Sequence, residues 1–239
     1  MKRDVAVIPW NDEEDLVIAT DNSGSVGMRN QDMVQVSYDI VSYFNFRVAW
    51  MECVAAGASP FAAVLQNFSG DGAWEQLIKG IERGMKELEI KDLQITGSTE
   101  TNFSFELSAV GMSIIGRKKK EKREGASGHE KFKTAVIGEP VVGTEVVANK
   151  HVAPLELFQW FAGQHDVLSL LPVGSKGVLY ELKQLFAGQP WKFTTDLDMQ
   201  KTSGPATCFI VAYKEEASEK VKEKAGELFH EVFIEQMDD

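Results

Sequence analysis

The first half of the chain alternates short apolar runs with turn signals, a pattern that predicts strands and two helices. Apolar runs at Val5–Ile8 and Leu16–Thr20 flank an acidic turn and predict a hairpin. Apolar residues at helical spacing predict helices from Asp39 to Ala56 and from Trp74 to Leu88. Further strands are predicted around Met33–Val36 and at Phe61–Phe68, Leu93–Thr96 and Phe105–Ile115.

The second half shows the same alternation. Its patterns predict strands at Lys133–Ile137, Val167–Val173 and Ala206–Tyr213, and helices at Pro154–Gly163, Val178–Ala187 and Glu215–Met237. Because strands and helices alternate in both halves, the predicted fold class is α/β or α+β.

A charged run from Arg117 to Glu124 separates the two halves and contains no apolar side chain. Such a run is typical of a solvated linker or hairpin tip rather than of a recognition patch. The sequence therefore predicts an N-terminal domain at 1–117, a basic linker at 118–130 and a C-terminal domain at 131–239.

Composition narrows the possible classes of partner. The chain has 239 residues, 44% of them hydrophobic, and this length and composition predict a globular protein with a substantial core and two lobes. Its net charge of −11 argues against general binding to nucleic acid or to anionic membrane. The only two cysteines, Cys53 and Cys208, lie in apolar patterns and predict buried thiols in a reducing cytoplasm. No long apolar segment predicts a membrane span, and no histidine pair has zinc-ligand spacing.

The segment after the second strand is the first candidate site. Asp21 is followed by Asn22, Ser23, Gly24 and Gly27, which we interpret as a strand that enters a small polar turn. Amides of such a turn bind anionic oxygen, and a divalent cation removes the repulsion between the carboxylate and a phosphate. The sequence therefore favours either a cradle for a nucleotide with Mg²⁺ or an ordinary Asx turn.

A similar segment follows a later strand. Gly97, Ser98 and Thr99 precede Glu100, and the two segments are predicted to lie side by side over one ligand. Glu52, near the end of the first long helix, either faces solvent or is held inward by a cation.

A third candidate lies in the C-terminal half. Gly174, Ser175 and Lys176 open a predicted helix, where amides, the helix dipole and an ammonium group favour an anion. Lys201, Ser203 and Gly204 form a second small polar segment that we assign to the same anion. The alternative is that the first segment only starts a helix.

Four segments resemble, in order, motifs of the aminoimidazole ribonucleotide (AIR) synthase superfamily, which includes thiamine-monophosphate kinase, selenophosphate synthetase and a hydrogenase maturation factor. They are Thr20–Gly27, Glu52–Pro60, Thr96–Glu100 and Val110–Gly116. Gly97–Phe103, Leu171–Gly177 and Lys201–Thr207 resemble the small AIR synthase-related proteins that act as α-ribazole kinases in cobalamin salvage.

This resemblance implies a two-lobed fold, with an N-terminal mixed sheet flanked by helices and a smaller C-terminal α/β domain. It implies a homodimer with ATP and Mg²⁺ bound where the N-terminal sheets of two subunits meet. Asp21 and Glu52 match metal-binding positions, whereas Ser98 stands where the family has an acidic residue. Asp32 or Glu100 would then supply the missing carboxylate.

The implied reaction is transfer of a phosphoryl group from ATP to a hydroxyl of a nucleoside-like vitamin precursor, with α-ribazole as the first candidate. Asp21, Glu52 and Glu100 are the predicted catalytic residues, and Asp21, Glu52 and Asp32 the predicted metal ligands. An ATP-dependent synthetase or cyclo-ligase of the same fold and a non-catalytic nucleotide-binding protein remain as alternatives.

Overall fold

The computed structural model describes residues 5–120, 131–187 and 190–236. The chain divides into two compact units between Glu121 and Lys122, called here the N-terminal and C-terminal units. Residues 121–130 of the predicted linker lie outside the described residues, and Lys118 and Lys119 belong to a strand of the N-terminal unit.

The N-terminal unit contains a five-stranded mixed sheet and two long helices. Its elements are β1 (Val5–Pro9), β2 (Glu14–Gly24), β3 (Val26–Gly27), β4 (Val34–Gln35), α1 (Tyr38–Ala55), β5 (Ser59–Asn67), α2 (Trp74–Glu87), β6 (Gln94–Thr99) and β7 (Ala109–Lys119). The strand order in the sheet is β1-β2-β7-β5-β6, and β3 pairs with β4 separately. The predicted hairpin and both predicted helices of this half are confirmed.

Strand direction decides where the polar segments lie. β7 is antiparallel to both β2 and β5, and β6 is parallel to β5, so β2, β5 and β6 run in the same direction. These three strands end at one edge of the sheet, where β7 begins. We call this the carboxyl edge, formed by Gly24, Asn67, Thr99 and Ala109.

Helix α1 covers one face of this sheet, and α2 packs on α1. The buried side chains of that sheet face include Val17, Ala19, Leu65, Met112 and Ile114. Close approach of the helices requires glycine in α2, since a β-carbon at Gly84 would lie 2.4 Å from the Phe46 ring. The opposite sheet face carries half-buried side chains such as Ile18, Val64 and Ile115.

The charged start of the predicted linker has a partner in the sheet. Glu14 lies opposite Lys119 and Asp15 opposite Lys118 in the antiparallel pairing of β2 with β7. Opposite charges across such a pair stabilise the sheet modestly. The strand predicted at Phe105–Ile115 therefore begins later and extends further than its apolar pattern indicates, because pairing rather than hydrophobicity sets its ends.

The C-terminal unit is a second five-stranded sheet, antiparallel throughout, in the order β10-β12-β8-β11-β9. Its elements are β8 (Phe132–Ile137), α3 (Glu145–Ala148), α4 (Leu155–Ala162), β9 (Val167–Pro172), α5 (Gly177–Leu185), β10 (Trp191–Thr194), β11 (Phe209–Lys214), α6 (Ser218–Ala225) and β12 (Phe229–Gln236). Val136, Leu171, Val178 and Ile210 belong to its buried core.

The helix predicted from Glu215 to Met237 is wrong beyond Ala225. Gly226 adopts a φ of 55°, which ends α6, and β12 follows and pairs with β8 and β10. The charged residues of β12 obscure the strand pattern in the sequence. In the structure Val232 is buried, as expected when side chains of a strand alternate between the two faces of a sheet. Both cysteines are buried free thiols, and none of the described helices is long and apolar enough to cross a membrane.

Candidate functional site

The carboxyl edge of the N-terminal sheet gathers polar side chains from separate strands. The amide of Asn67 donates to Thr99 Oγ1 at 3.1 Å and to the Gly70 carbonyl at 2.9 Å. Asn45 of α1 donates to Ser23 Oγ at 3.3 Å and lies within 3.4 Å of the Val110 carbonyl. The sheet thus places Ser23 and Thr99 in one row along this edge, with the Val110–Asn67 pair between them.

Asp21 to Gly24 form the end of strand β2, so the turn predicted there is wrong. Asp21 lies opposite Met112 and Gly24 opposite Ala109, and the chain turns only at Ser25, whose φ is 60°. The polar composition resembles a turn, but pairing with β7 keeps the segment extended. An amide nest formed by these residues is therefore excluded.

Asp21 remains the most chemically distinctive group of this edge. Its side chain follows the alternation of Val17 and Ala19, which are buried beneath α1, and it is itself half-buried. Burial raises the pKa of Asp21 to about 7, an effect that a hydrogen bond from the Asn22 amide partly offsets. A carboxyl group with this pKa accepts either a proton or a cation near neutral pH.

Asp32, predicted as a metal ligand, has its oxygens occupied by protein donors. Ser108 donates its amide to Oδ1 and its hydroxyl to Oδ2, both at 2.7 Å, and the Arg29 amide donates to Oδ2 at 2.8 Å. Burial alone would raise the pKa of Asp32, but these hydrogen bonds and the Arg29 charge lower it. The geometry favours a structural role for Asp32 over metal binding.

Arg29 joins three loops of the carboxyl edge and is not among the residues predicted from the sequence. One guanidinium nitrogen donates to the Phe105 carbonyl and the other donates to the Ser69 carbonyl at 3.1 Å. Together with Asp32 and Ser108, it connects residues 25–36, 68–70 and 100–108. Only the three-residue spacing of Arg29 and Asp32 in a polar loop hints at this arrangement.

Glu52 lies far from Asp21 because α1 runs antiparallel to β2. Asn45, near the middle of α1, contacts Ser23, whereas a β-carbon at Gly116 would lie 2.7 Å from Cys53 Sγ near the end of α1, and Gly116 pairs with Val17. Val17 and Asp21 are four residue steps apart along β2, or about 13 Å. The structure does not bring Glu52 and Asp21 together within one chain.

The second predicted segment is mostly strand. Gly97, Ser98 and Thr99 belong to β6, and a β-carbon at Gly97 would lie 2.2 Å from the Leu65 carbonyl oxygen. Glu100 follows the strand and accepts hydrogen bonds at Oε1 from the amides of Asn102 and Phe103, at 2.6 and 3.3 Å. β2 and β6 end at the same edge, but β7 and β5 lie between them.

Gly27, predicted as a cofactor-binding residue, allows close packing of its own loop. A β-carbon there would lie 2.5 Å from Ser108 Oγ, so Gly27 lets its loop approach the start of β7. At Gly24, by contrast, no atom lies within 4 Å of such a β-carbon.

The predicted anion segments of the C-terminal unit do lie side by side. The Ser203 amide donates to the Gly174 carbonyl at 3.2 Å, and a β-carbon at Gly177 would lie 2.8 Å from the Lys201 carbonyl oxygen. Several of their polar groups already have partners: Lys201 forms an ion pair with Glu145 at 2.7 Å, and the buried Ser203 hydroxyl lies 2.9 Å from Thr207.

The remaining residues of these segments are more exposed. Lys176 lies over the Tyr180 ring at 4.3 Å, Ser175 is exposed and Gly204 belongs to a cis peptide bond with Pro205. The structure brings these segments together but leaves few groups for an anion.

A separate cavity of about 450 Å³ lies in the C-terminal unit. Asp196, His230 and Phe233 are among its lining residues, and His230 Nδ1 lies 3.0 Å from both carboxylate oxygens of Asp196. Throughout the described residues, no group of three or more histidine, cysteine or acidic side chains is placed to hold a metal ion.

The fold of the described chain is AIR synthase-like, as predicted. Solved structures with this fold include tt0281 from Thermus thermophilus, with a TM-score of 0.65, 12% identity and coverage of 99% of this chain and 87% of that one. E. coli HypE, a hydrogenase maturation protein, gives a TM-score of 0.61 at 12% identity, covering 92% and 85%.

T. maritima PurL complexed with ATP also shares the fold. Its TM-score is 0.61 at 13% identity, and the match covers 98% of this chain but 42% of the PurL chain. No protein-family model and no curated protein matches the sequence. These similarities establish the fold, and the function has to be argued from the site itself.

A substitution at Asp32 distinguishes structural from metal-binding roles. We expect Asp32→Asn to lower the free energy of unfolding by about 2 kcal/mol, because a buried donor loses its acceptor. Chemical denaturation should show the same loss in EDTA and in Mg²⁺, with exposed Asp71→Asn as the control. A variant of normal stability that loses only Mg²⁺-dependent stabilisation would show that Asp32 binds metal.

The raised pKa of Asp21 predicts a pH dependence of stability. Because the folded pKa of about 7 exceeds the ordinary 3.8, the folded state holds more protons between these values. Wild-type stability should therefore fall relative to Asp21→Asn as pH rises from about 4 to about 7. Denaturation midpoints measured across this range test the prediction, and parallel curves for the two proteins would contradict it.

Proposed function

We propose that this protein is an ATP-dependent enzyme that binds the nucleotide and Mg²⁺ at the carboxyl edge of its N-terminal sheet. The observation that carries the proposal is the half-buried Asp21 carboxyl, whose pKa is raised to about 7 at the end of a strand. T. maritima PurL, whose fold is similar, was solved with ATP, ADP and AMPPCP, which supports nucleotide binding.

Asp21 is a suitable ligand for Mg²⁺, whereas Asp32 and Glu52, the other predicted ligands, are not available to bind the same ion. Mg²⁺ is usually held by one or two carboxylates together with substrate phosphates and waters, so one protein carboxylate is sufficient. Binding of a cation would lower the pKa of Asp21 and release a proton near neutral pH. Asp32 is held by Ser108, and Glu52 lies at the other end of α1.

The proposed reaction is phosphoryl transfer to a hydroxyl of a small molecule. When bound, Mg²⁺ neutralises charge on the phosphate oxygens. Asp21 would hold this cation, and Ser23 and Thr99 supply neutral hydroxyl groups along the same edge. Glu100 is the candidate that orients the acceptor hydroxyl, because it lies at this edge and its Oε1 position is fixed by backbone amides.

The acceptor that we propose first is α-ribazole, on the sequence resemblance alone. Phosphoryl transfer to a hydroxyl differs from a synthetase or cyclo-ligase reaction in its product, since the phosphate stays on the acceptor. A non-catalytic nucleotide-binding protein would release no ADP at all.

The test measures ADP release from ATP and Mg²⁺ with α-ribazole and with a panel of nucleosides, while mass spectrometry identifies the product. We expect acceptor-dependent ADP, a phosphorylated acceptor and a loss of turnover of about 10²-fold or more in Asp21→Asn. Asp71→Asn, which changes an exposed aspartate, is the control. Normal turnover in a folded Asp21→Asn protein would exclude the proposed role of Asp21.

We also propose a homodimer formed through the sheet face opposite α1. Ile18, Val64 and Ile115 are half-buried on that face, and such apolar surface is typical of a protein interface. Light scattering at micromolar concentration should give twice the chain mass, and Ile115→Lys should halve it because it places a charge in the apolar face. A monomeric wild-type protein, with ATP present, would contradict this proposal.

A further inference from the structure

The C-terminal sheet has a gap along one side of strand β12. β10 pairs with residues 233–236 of β12, whereas β8 pairs with residues 229–232 from the other side. Within the part of the chain that the structure describes, no strand pairs with residues 229–232 on the β10 side. This open stretch of four residues is about 13 Å long.

The cavity of about 450 Å³ in this unit lies along the gap. Phe229, His230 and Glu231 are consecutive in β12, and all three line the cavity. Because consecutive side chains of a strand point to opposite faces of a sheet, a cavity lined by all three lies at the edge of the strand. We call this combination of open stretch and cavity the β12 gap.

Charge repulsion explains why β10 ends at Thr194. Continuing its register with β12 by two residues would place Asp196 directly opposite Glu231. Like charges at such a position destabilise a sheet. The chain leaves the sheet instead, and both carboxylate oxygens of Asp196 lie 3.0 Å from His230 Nδ1. Asp196 therefore lines the cavity and does not close it.

The backbone of the open stretch directs hydrogen-bonding groups into the gap. Alternate residues of a strand direct these groups to opposite neighbours. The Gly138 amide donates to the Leu228 carbonyl at 2.8 Å, so the even-numbered residues of β12 face β8. Phe229 and Glu231 then face the gap. The Phe229 amide donates to the Gly226 carbonyl, but among the described residues the amide and carbonyl of Glu231 have no backbone partner.

We infer that the β12 gap binds an extended peptide segment of a partner protein as an added strand of the C-terminal sheet. An extended backbone carries a donor and an acceptor at the spacing of the Glu231 amide and carbonyl. The lining has two carboxylates, Asp196 and Glu231, against the single ammonium group of Lys222. A basic side chain is therefore favoured opposite Glu231. Phe229 and the exposed Phe233 favour an apolar side chain on the same face.

Nuclear magnetic resonance titration of the full chain with blocked peptides tests this inference. The probe contains threonine, lysine, threonine and valine in that order, so that lysine lies opposite Glu231 and valine opposite Phe229. We expect saturable shifts of the backbone amides of residues 229–233 and slower solvent exchange of the Glu231 amide. The same peptide methylated at the backbone nitrogen of lysine should bind about ten-fold more weakly, because it cannot donate to the Glu231 carbonyl.

Two variants test the same contact from the protein side. Glu231→Pro removes the amide that faces the gap but no hydrogen bond to β8, and proline is tolerated at such edge positions. It should lower the affinity for the lysine peptide by about ten-fold or more, while circular dichroism shows a folded protein. Glu231→Gln keeps the amide and is the matched control. It should still bind the lysine peptide, with a smaller preference over the same peptide containing glutamate in place of lysine.

Four other results would overturn the inference. One is no binding of either the lysine or the glutamate peptide at millimolar concentration, and another is equal affinity of the methylated and unmethylated peptides. The methylated peptide is compared on the wild-type protein, so it decides the question even if Glu231→Pro does not fold. Shifts confined to residues outside 194–196 and 229–233 would assign the peptide to another surface. Shifts of the Glu231 amide that depend on protein concentration without peptide would assign the gap to a second copy of the chain.

Discussion

The buried carboxylate of Asp32 is the constraint on which the carboxyl edge depends. A buried charge is tolerated only when its oxygens are hydrogen-bonded, and Ser108 and Arg29 supply those bonds. The same interactions fix the loop before α1 against the start of β7. Arg29 then extends the connection to the carbonyls of Ser69 and Phe105. Without this carboxylate, three loops of the edge would lose their common anchor.

The direction of the strands brings further polar residues to the same edge of the sheet. β2, β5 and β6 run in the same direction, so their final polar residues meet at one edge although they are distant in sequence. Asp21 lies on β2 near that edge, half-buried beneath α1, where burial raises its pKa. Proteins that share this fold at 12 to 13% identity include a hydrogenase maturation protein and PurL. The scaffold therefore does not dictate a reaction, and the side chains of the edge must carry the specificity.

Local pattern predicts much of the fold and little of the site. Helices α1 and α2 show clear helical periodicity, and the β1–β2 hairpin follows from two apolar runs around an acidic turn. Strand β12 escapes prediction because its charged residues continue the pattern of the preceding helix, while its pairing with β8 is set by distant residues. Asp21 to Gly24 have the composition of a turn, yet β7 pairs with them as a strand.

The site is harder to predict because its decisive contacts are non-local. Asp21 is identifiable from its place at a strand end, but its burial depends on α1 packing over the sheet. Asp32 and Glu52 are acidic residues at positions that suit metal binding in the sequence. Only the structure shows that Asp32 anchors the loops of the edge and that Glu52 lies far from Asp21. Ser108 contacts Asp32, and Arg29 contacts the Phe105 carbonyl, although each pair is 76 residues apart in the sequence. Contacts at this separation cannot be inferred from the spacing of residues.

The central claim is that a nucleotide binds at the carboxyl edge of the N-terminal sheet. Hydrogen–deuterium exchange of the full chain, measured with and without Mg·ATP, tests it most directly because it locates binding along the sequence. The account predicts slower exchange in peptides covering residues 21–36, 67–70 and 99–109, with no change in those covering 191–196 and 229–233, which contribute to the cavity beside Asp196 and His230. Protection confined to the C-terminal peptides, or absent throughout at saturating Mg·ATP, would contradict the account.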